Sequence, residues 1–204
     1  MSFITPYFVR LMARFEEACL KSWRQELLKH VYGEVLEIGA GTGASIDHYS
    51  NQVTRLVLTE PDKHMRRILE RNVSNRGLEK IQVSDGTAEQ IRAEDESFDC
   101  VVAFGVCCCV FNLRTALEEI KRVLKPGGYF VFLEHVAAAE GTSTRRWQNR
   151  INPMWRIMGG CHLNRETEEA IITAGFKMRE ITRESTSKAL QIARPSIRGI
   201  AEKT

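Results

Sequence analysis

The stretch VLEIGAGTG, residues 35–43, decides the fold. Apolar and β-favouring residues run into Gly39, Gly41 and Gly43, the pattern of a buried strand that breaks into a tight turn before a helix. Glycines at such a turn let the backbone lie against a ligand with no Cβ in the way. The loop alone is not decisive, because GAGTGA also fits the GxGxxG/A dinucleotide fingerprint when Ala44 closes it, and a turn without any ligand needs the same glycines. Two acids narrow the choice. Glu37 stands two positions before the first glycine, where a carboxylate suits a cationic or amine-bearing ligand and repels a pyrophosphate. Glu60, at the end of the next strand, is placed to accept hydrogen bonds from both hydroxyls of a ribose, although by itself it could equally be a solvated helix cap before Pro61.

Outward from this loop, apolar runs of strand length recur at EVLEI (34–38), RLVLT (55–59), KIQVS (80–84), FDCVVAF (98–104) and YFVFLEHV (129–136). Helical segments are predicted between them, notably Asp62 to Ser74 and Leu113 to Leu124, the second ended by Pro126-Gly127-Gly128. A further short helix over 165–175 is followed by two strand candidates, 177–184 and 196–203, close enough to form an antiparallel hairpin. The expected fold class is α/β: a doubly wound, mostly parallel seven-stranded sheet with that hairpin at its C-terminal end. The 204 residues, 43% hydrophobic and 27% charged, suffice for one substantial core, so a single domain is expected. Within it, 1–31 reads as an N-terminal helical cap, 33–136 as the cofactor-binding half, 137–165 as a substrate-side insert or lid, and 166–204 as the C-terminal helix and hairpin. The net charge of +3, spread over the chain, points to no nucleic acid. No apolar run reaches membrane-spanning length, and the acids within the N-terminal apolar pattern argue against a signal peptide, so a cytoplasmic location and reduced thiols are expected.

With these blocks assembled, the chain resembles the class I S-adenosylmethionine-dependent methyltransferases from about Val35 to its C-terminus. VLEIGAGTG, LTEPDKHM (58–65), DGTAEQI (85–91), ESFDCVVAF (96–104) and EIKRVLKPGGYFVFLEH (119–135) carry the resemblance together. It implies a Rossmann-like methyltransferase with S-adenosyl-L-methionine as cofactor. Glu37 would hold the methionine ammonium, directly or through water, Gly39, Ala40, Gly41 and Gly43 would border the methionine portion, and Glu60, followed by Pro61, would bind the ribose. Ala88 and Glu89 would lie beside the adenine, with the Thr87 hydroxyl where the family often has an aspartate, and Phe104 and Gly105 would close the site after the fourth strand.

FLEHVAAAEG (132–141), Trp147 with NPMW (152–155), GGCHLNRET (159–167) and ARPSIRGIAEK (193–203) carry a closer similarity to a subgroup of bacterial small-molecule methyltransferases and animal thiol S-methyltransferases. In that subgroup Cys108 is the residue matching a leucine-cysteine-serine or -threonine run. The resemblance implies a small, apolar acceptor, first a thiol, with N- or O-methylation of a small molecule or phospholipid as the alternative; an NAD-dependent oxidoreductase and a cofactor-binding protein without activity rank below these. The fourth strand lacks the Asn/Asp-Pro-Pro-aromatic motif of nucleic-acid amino methyltransferases, so nucleic acid is not the expected acceptor.

His135, at the carboxyl end of the fifth strand, is the candidate catalytic base, with a purely structural histidine as the competing reading. In the insert, Trp147, Ile151, Met154, Trp155 and Met158 predict one apolar helical face interrupted by Pro153, read as core or lid packing in preference to a membrane contact through 145–158. Cys107, Cys108 and Cys109 follow the fourth strand. In extended chain their side chains would alternate between faces, so they are read as pocket-wall and core residues, and no metal site is expected from them. The oligomeric state is left open.

Overall fold

Alternating apolar residues on neighbouring strands give this chain two buried sheet faces, and the helices fall on both. The computed structural model describes residues 20–76, 80–185 and 189–204. In chain order the elements are α1 (Lys21–Leu28), β1 (Gly33–Ile38), β2 (Val53–Thr59), α2 (Lys63–Ser74), β3 (Ile81–Ser84), β4 (Phe98–Phe104), α3 (Leu113–Val123), β5 (Leu124–His135), α4 (Ser143–Gly159), α5 (Thr167–Thr173), β6 (Phe176–Ser185) and β7 (Pro195–Lys203). The seven strands form one sheet in the order β3-β2-β1-β4-β5-β7-β6. The first five are parallel, and β7 inserts between β5 and β6, antiparallel to both. Of the expected helical cap, residues 1–19 lie outside the described residues, and α1 is the part that is seen.

The alternation is visible along each central strand. Leu36, Val101, Ala103, Phe130 and Phe132 pack with Ala116, Leu117 and Ile120 of α3 and Ile171 of α5 on one face. Val35, Cys100, Val102, Val131 and Leu133 pack with Leu27 and Leu28 of α1 and Leu69 and Val73 of α2 on the other. Helix starts follow local chemistry: Asp62 accepts from the His64 and Met65 amides, and Asn112 from that of Thr115, so each satisfies donors the first turn leaves open.

Two predicted boundaries differ. Pro126-Gly127-Gly128 does not follow a helix end and precede a strand; α3 passes straight into β5, and these residues form an irregularity inside that strand, where pairing jumps from Phe98↔Leu124 to Cys100↔Tyr129. A proline, which has no N–H to donate to the ladder, is tolerated at such a bulge.

The larger correction concerns α4. The helix runs through Pro153 without stopping, and Trp147 and Met154, expected to be buried, are 55% and 60% exposed. Its buried side instead carries Gln148, with Ile151, Asn152 and Trp155 partly covered. Gln148 is wholly enclosed because it is fully bonded: its side-chain oxygen accepts from the Ala138 amide at 2.8 Å, and its amide nitrogen donates to the Val136 and Ile192 carbonyls. A polar residue with three backbone partners outcompetes an apolar stripe here, a pairing that hydrophobic periodicity cannot anticipate. The side chain of Met158 lies outside the described residues. Among the described residues no helix is long and apolar enough to cross a membrane.

Candidate active site

The carboxyl ends of β1, β2 and β4 open onto a cavity of about 650 Å³, within the range that takes small-molecule and cofactor ligands. Glu37, Gly39, Ala40 and Gly41 line it from β1 and its loop, Glu60 and Pro61 from the end of β2, Thr87, Ala88 and Glu89 from the loop after β3, and Phe104 and Gly105 from the end of β4. The structure therefore brings together every residue expected on the cofactor side except Gly43. That glycine faces the other way: a Cβ on it would come within 2.5 Å of Ile46 and 2.9 Å of Leu69, so it lets the loop pack against α2.

The three glutamates are held differently. Glu37 is almost fully buried and accepts from the Ser45 hydroxyl at 2.5 Å and the Tyr49 hydroxyl at 2.9 Å. Arg24 of α1 stands 3.7 Å from it, donates to Ser45 and stacks over the Phe104 ring. Glu60 accepts from the Gly41 and Asp62 amides, both at 2.9 Å. Burial pushes its carboxyl above the ordinary range despite these two amide donors. Glu89 accepts from the Phe111 amide at 2.7 Å and so ties the third loop to the fourth.

The segment after β4 departs from expectation. Residues 106–110 form a helical turn, with the Cys109 and Val110 amides donating to the Val106 carbonyl at 2.8 and 3.1 Å. The turn is shaped by Glu134, buried beneath it, which accepts from the Val106, Cys107 and Cys108 amides at 2.8, 2.8 and 3.1 Å. Arg165 reaches its other end and donates to the Cys107 and Val110 carbonyls at 2.5 Å each. Because the backbone coils, Cys108 and Cys109 no longer point to opposite faces; their sulfurs lie 3.6 Å apart. Cys161, beyond α4, joins them, so that the three sulfurs all fall within 4.8 Å of one another. The Cys108 and Cys109 thiols, together with His135, hold Cys161 well below the usual thiol range. Cys107 instead points into the core, where burial pushes its thiol well up. Cys109 is the exposed member of the run and lines the cavity.

His135 is set off the cavity wall. Its Nε2 lies 3.3 Å from the Cys161 sulfur, and its Nδ1 is buried with no hydrogen-bond partner among the described residues.

With this geometry in place, comparison with known proteins is decisive. Residues 36–132 match the family described as "Methyltransferase domain". Human thiol S-methyltransferase TMT1A is 32% identical over 210 residues, spanning 97% of this chain and 85% of that protein. The chain belongs to the S-adenosylmethionine-dependent methyltransferases. Rat thiol S-methyltransferase TMT1B is similar at 34% identity over 84% of this chain and 74% of its own length. Among solved structures, a protein from Bacillus halodurans shares the fold with a TM-score of 0.72 at 17% identity, over 89% of this chain and 99% of that one. Geranyl diphosphate methyltransferase in complex with S-adenosylmethionine does so with a TM-score of 0.74 at 13% identity, over 90% and 85%.

The residues present fit such a cofactor. A carboxylate stands at the end of β2, a paired acid and guanidinium flank β1, and at Gly105 a Cβ would meet nothing within 4 Å. Arg24 and Glu134 were not legible as site residues. Arg24 belongs to no motif and reaches the cavity only because α1 packs on the sheet. Glu134 reads as one acid at a strand end, and its three amide partners appear only once residues 106–108 coil.

Proposed function

We propose that this methyltransferase acts on the sulfur of a small, apolar thiol. The observation that carries the reading is the composition of the cavity beyond the glycine loop: Val106, Cys109, Val110 and Phe111 form its wall, and among the described lining residues there is no histidine, lysine or aspartate. A thiol, with an ordinary pKa of about 8.5, already supplies some thiolate near neutrality, whereas an amine or alcohol acceptor needs a positioned base. The similarity to thiol S-methyltransferases over most of both chains supports the same acceptor.

When bound, S-adenosylmethionine supplies a methyl group that an acceptor lone pair displaces from the sulfonium, leaving S-adenosylhomocysteine and, from a thiol, one proton. The chain's own work is mainly positional, because an in-line displacement needs the acceptor atom held at near-attack distance. Glu60 receives the ribose hydroxyls and Glu37 the ammonium of the amino-acid end, while Arg24 beside Glu37 receives its carboxylate. Thr87, Ala88 and Glu89 border the adenine. The apolar wall desolvates the acceptor and excludes charged competitors. His135 acts behind Cys161, as a positioning residue that fixes that sulfur through its Nε2.

A panel of alkyl and aryl thiols, amines, phenols and phospholipids, incubated with labelled S-adenosylmethionine, tests this. Label is expected in a thioether. Label confined to an amine, a phenol or a lipid would replace the thiol reading with N- or O-methylation.

A further inference from the structure

We propose that Cys108, Cys109 and Cys161 form a three-thiolate site for a soft d10 cation, Zn²⁺, whose fourth coordination position takes the sulfur of the acceptor.

The geometry suits such an ion. A tetrahedral Zn²⁺ with Zn–S bonds of about 2.3 Å sets its sulfurs roughly 3.8 Å apart. Cys108 and Cys109 already stand 3.6 Å apart, and all three sulfurs lie within 4.8 Å of one another. Two distant segments are held to produce this. The Val106–Val110 turn is clamped by Glu134 below and Arg165 at its end. The segment after α4 is tied to it by the His162 amide, which donates to the Cys108 carbonyl at 2.8 Å.

The surroundings also match what a metal-bound sulfur needs. Trp155 Nε1 donates to Cys161 at 3.1 Å, and His135 Nε2 lies 3.3 Å from the same sulfur. Such outer hydrogen bonds orient thiolate ligands and steady their charge. Three protein ligands leave one position open, the arrangement of a zinc site that works on a substrate rather than one that only braces a fold. Cys109 stands where that opening is useful, since it forms part of both the main cavity and an adjoining one of about 460 Å³ lined by Phe111, Pro153 and Ile157 together with Arg156 and His162.

An incoming thiol would lose its S–H bond and gain an S–Zn bond, its proton passing to solvent through the open cavity. Coordination to zinc deprotonates a thiol outright. The resulting thiolate is the acceptor form required above, so the identity of the fourth ligand rests on the thiol reading, while the three-cysteine site does not.

The test uses the full chain, reduced with a phosphine, freed of metal with a chelator and titrated with Co²⁺ as the spectroscopic probe. One Co²⁺ per chain with thiolate-to-metal charge-transfer absorption, displaced by Zn²⁺, is expected. Cys109→Ser and Cys161→Ser should each weaken binding by at least the roughly 10–100-fold that loss of an outer partner alone costs. Cys107→Ser, whose thiol lies outside the cluster, should bind as the parent does. Because Cys109 is exposed, Cys109→Ser is informative even if Cys161→Ser fails to fold. Absence of charge-transfer absorption in the parent, or unchanged affinity in Cys109→Ser, would overturn the site even if thiols are methylated. Thiol addition without cofactor should then shift the Co²⁺ bands; unshifted bands with a thiol that is efficiently methylated would overturn the fourth-ligand assignment and leave the acceptor reading intact. Bound Co²⁺ with no thiol methylated would sink the acceptor reading and leave the three-cysteine site standing.

Discussion

Glu60 carries its charge at a nearly buried position, and two backbone amides keep it aimed at the cavity. Glu60→Ala removes charge-assisted hydrogen bonds to the ribose and should cost roughly 1.5–3 kcal/mol in S-adenosylhomocysteine affinity, read by calorimetry. In the proposed role the carboxylate form accepts from both ribose hydroxyls, and burial raises its pKa. Affinity should therefore hold at neutral pH and fall as the pH drops through that raised value, earlier than for an ordinary carboxylate. In Glu60→Gln this pH dependence should be absent. His135→Ala, whose ring touches Cys161 and does not line the cavity, should lower turnover more than cofactor affinity; equal turnover with and without the ring would make His135 structural. At this scale the sequence disclosed those side chains that local motifs place at strand ends. It did not disclose Arg24, which reaches the cavity only through packing, nor the meeting of Cys161 with Cys108 and Cys109 across more than one element.

At the scale of elements, Asp99 on β4 joins three strands. Its carboxylate accepts from the Glu34 amide of β1 at 2.8 Å and from Lys125 of β5 at 2.9 Å. Partial burial pushes its carboxyl up, but the Glu34 amide and Lys125 outweigh this and hold it below the ordinary range. A depressed acid contributes stability that is fully present above its unfolded value of about 3.9 and is lost as the pH falls through the folded value. Asp99→Asn should thus destabilise the protein by about 1–2 kcal/mol in urea at neutral pH, and the gap to the parent should close in acid. Glu134→Ala is the harsher change. Three amides of the 106–108 turn would lose their acceptor inside the protein, for a loss of roughly 2–5 kcal/mol and displacement of the cysteines. A melting temperature equal to the parent's would show that the turn does not depend on Glu134. Strands were legible because buried parallel strands are continuous apolar runs. The bulge in β5 and the polar buried side of α4 were not, since both depend on which backbone groups happen to lie opposite.

Over the whole molecule, the order β3-β2-β1-β4-β5-β7-β6 gathers the ends of β1, β2 and β4 around one cavity, and Arg24 of α1, Gly160 just beyond α4 and the 106–110 turn close in on it. The doubly wound class with a final antiparallel pair follows from strands alternating with helices and was readable from the chain; the insertion of β7 between β5 and β6 was not, because hairpin spacing does not say which strand takes the edge. The choice of acceptor is not a property of that topology; in the proposed reading it depends on Phe104 of β4, the turn after it and Gly160 beyond α4, which come together only in the folded protein. The most direct measurement is a competition in one vessel. An alkanethiol, the alcohol and the amine of the same carbon skeleton are offered together with S-adenosylmethionine, and the methylated products are resolved by mass spectrometry. The thioether is expected as the dominant product, formed in step with S-adenosylhomocysteine. Preferential methylation of the amine or the alcohol would contradict a site built for sulfur.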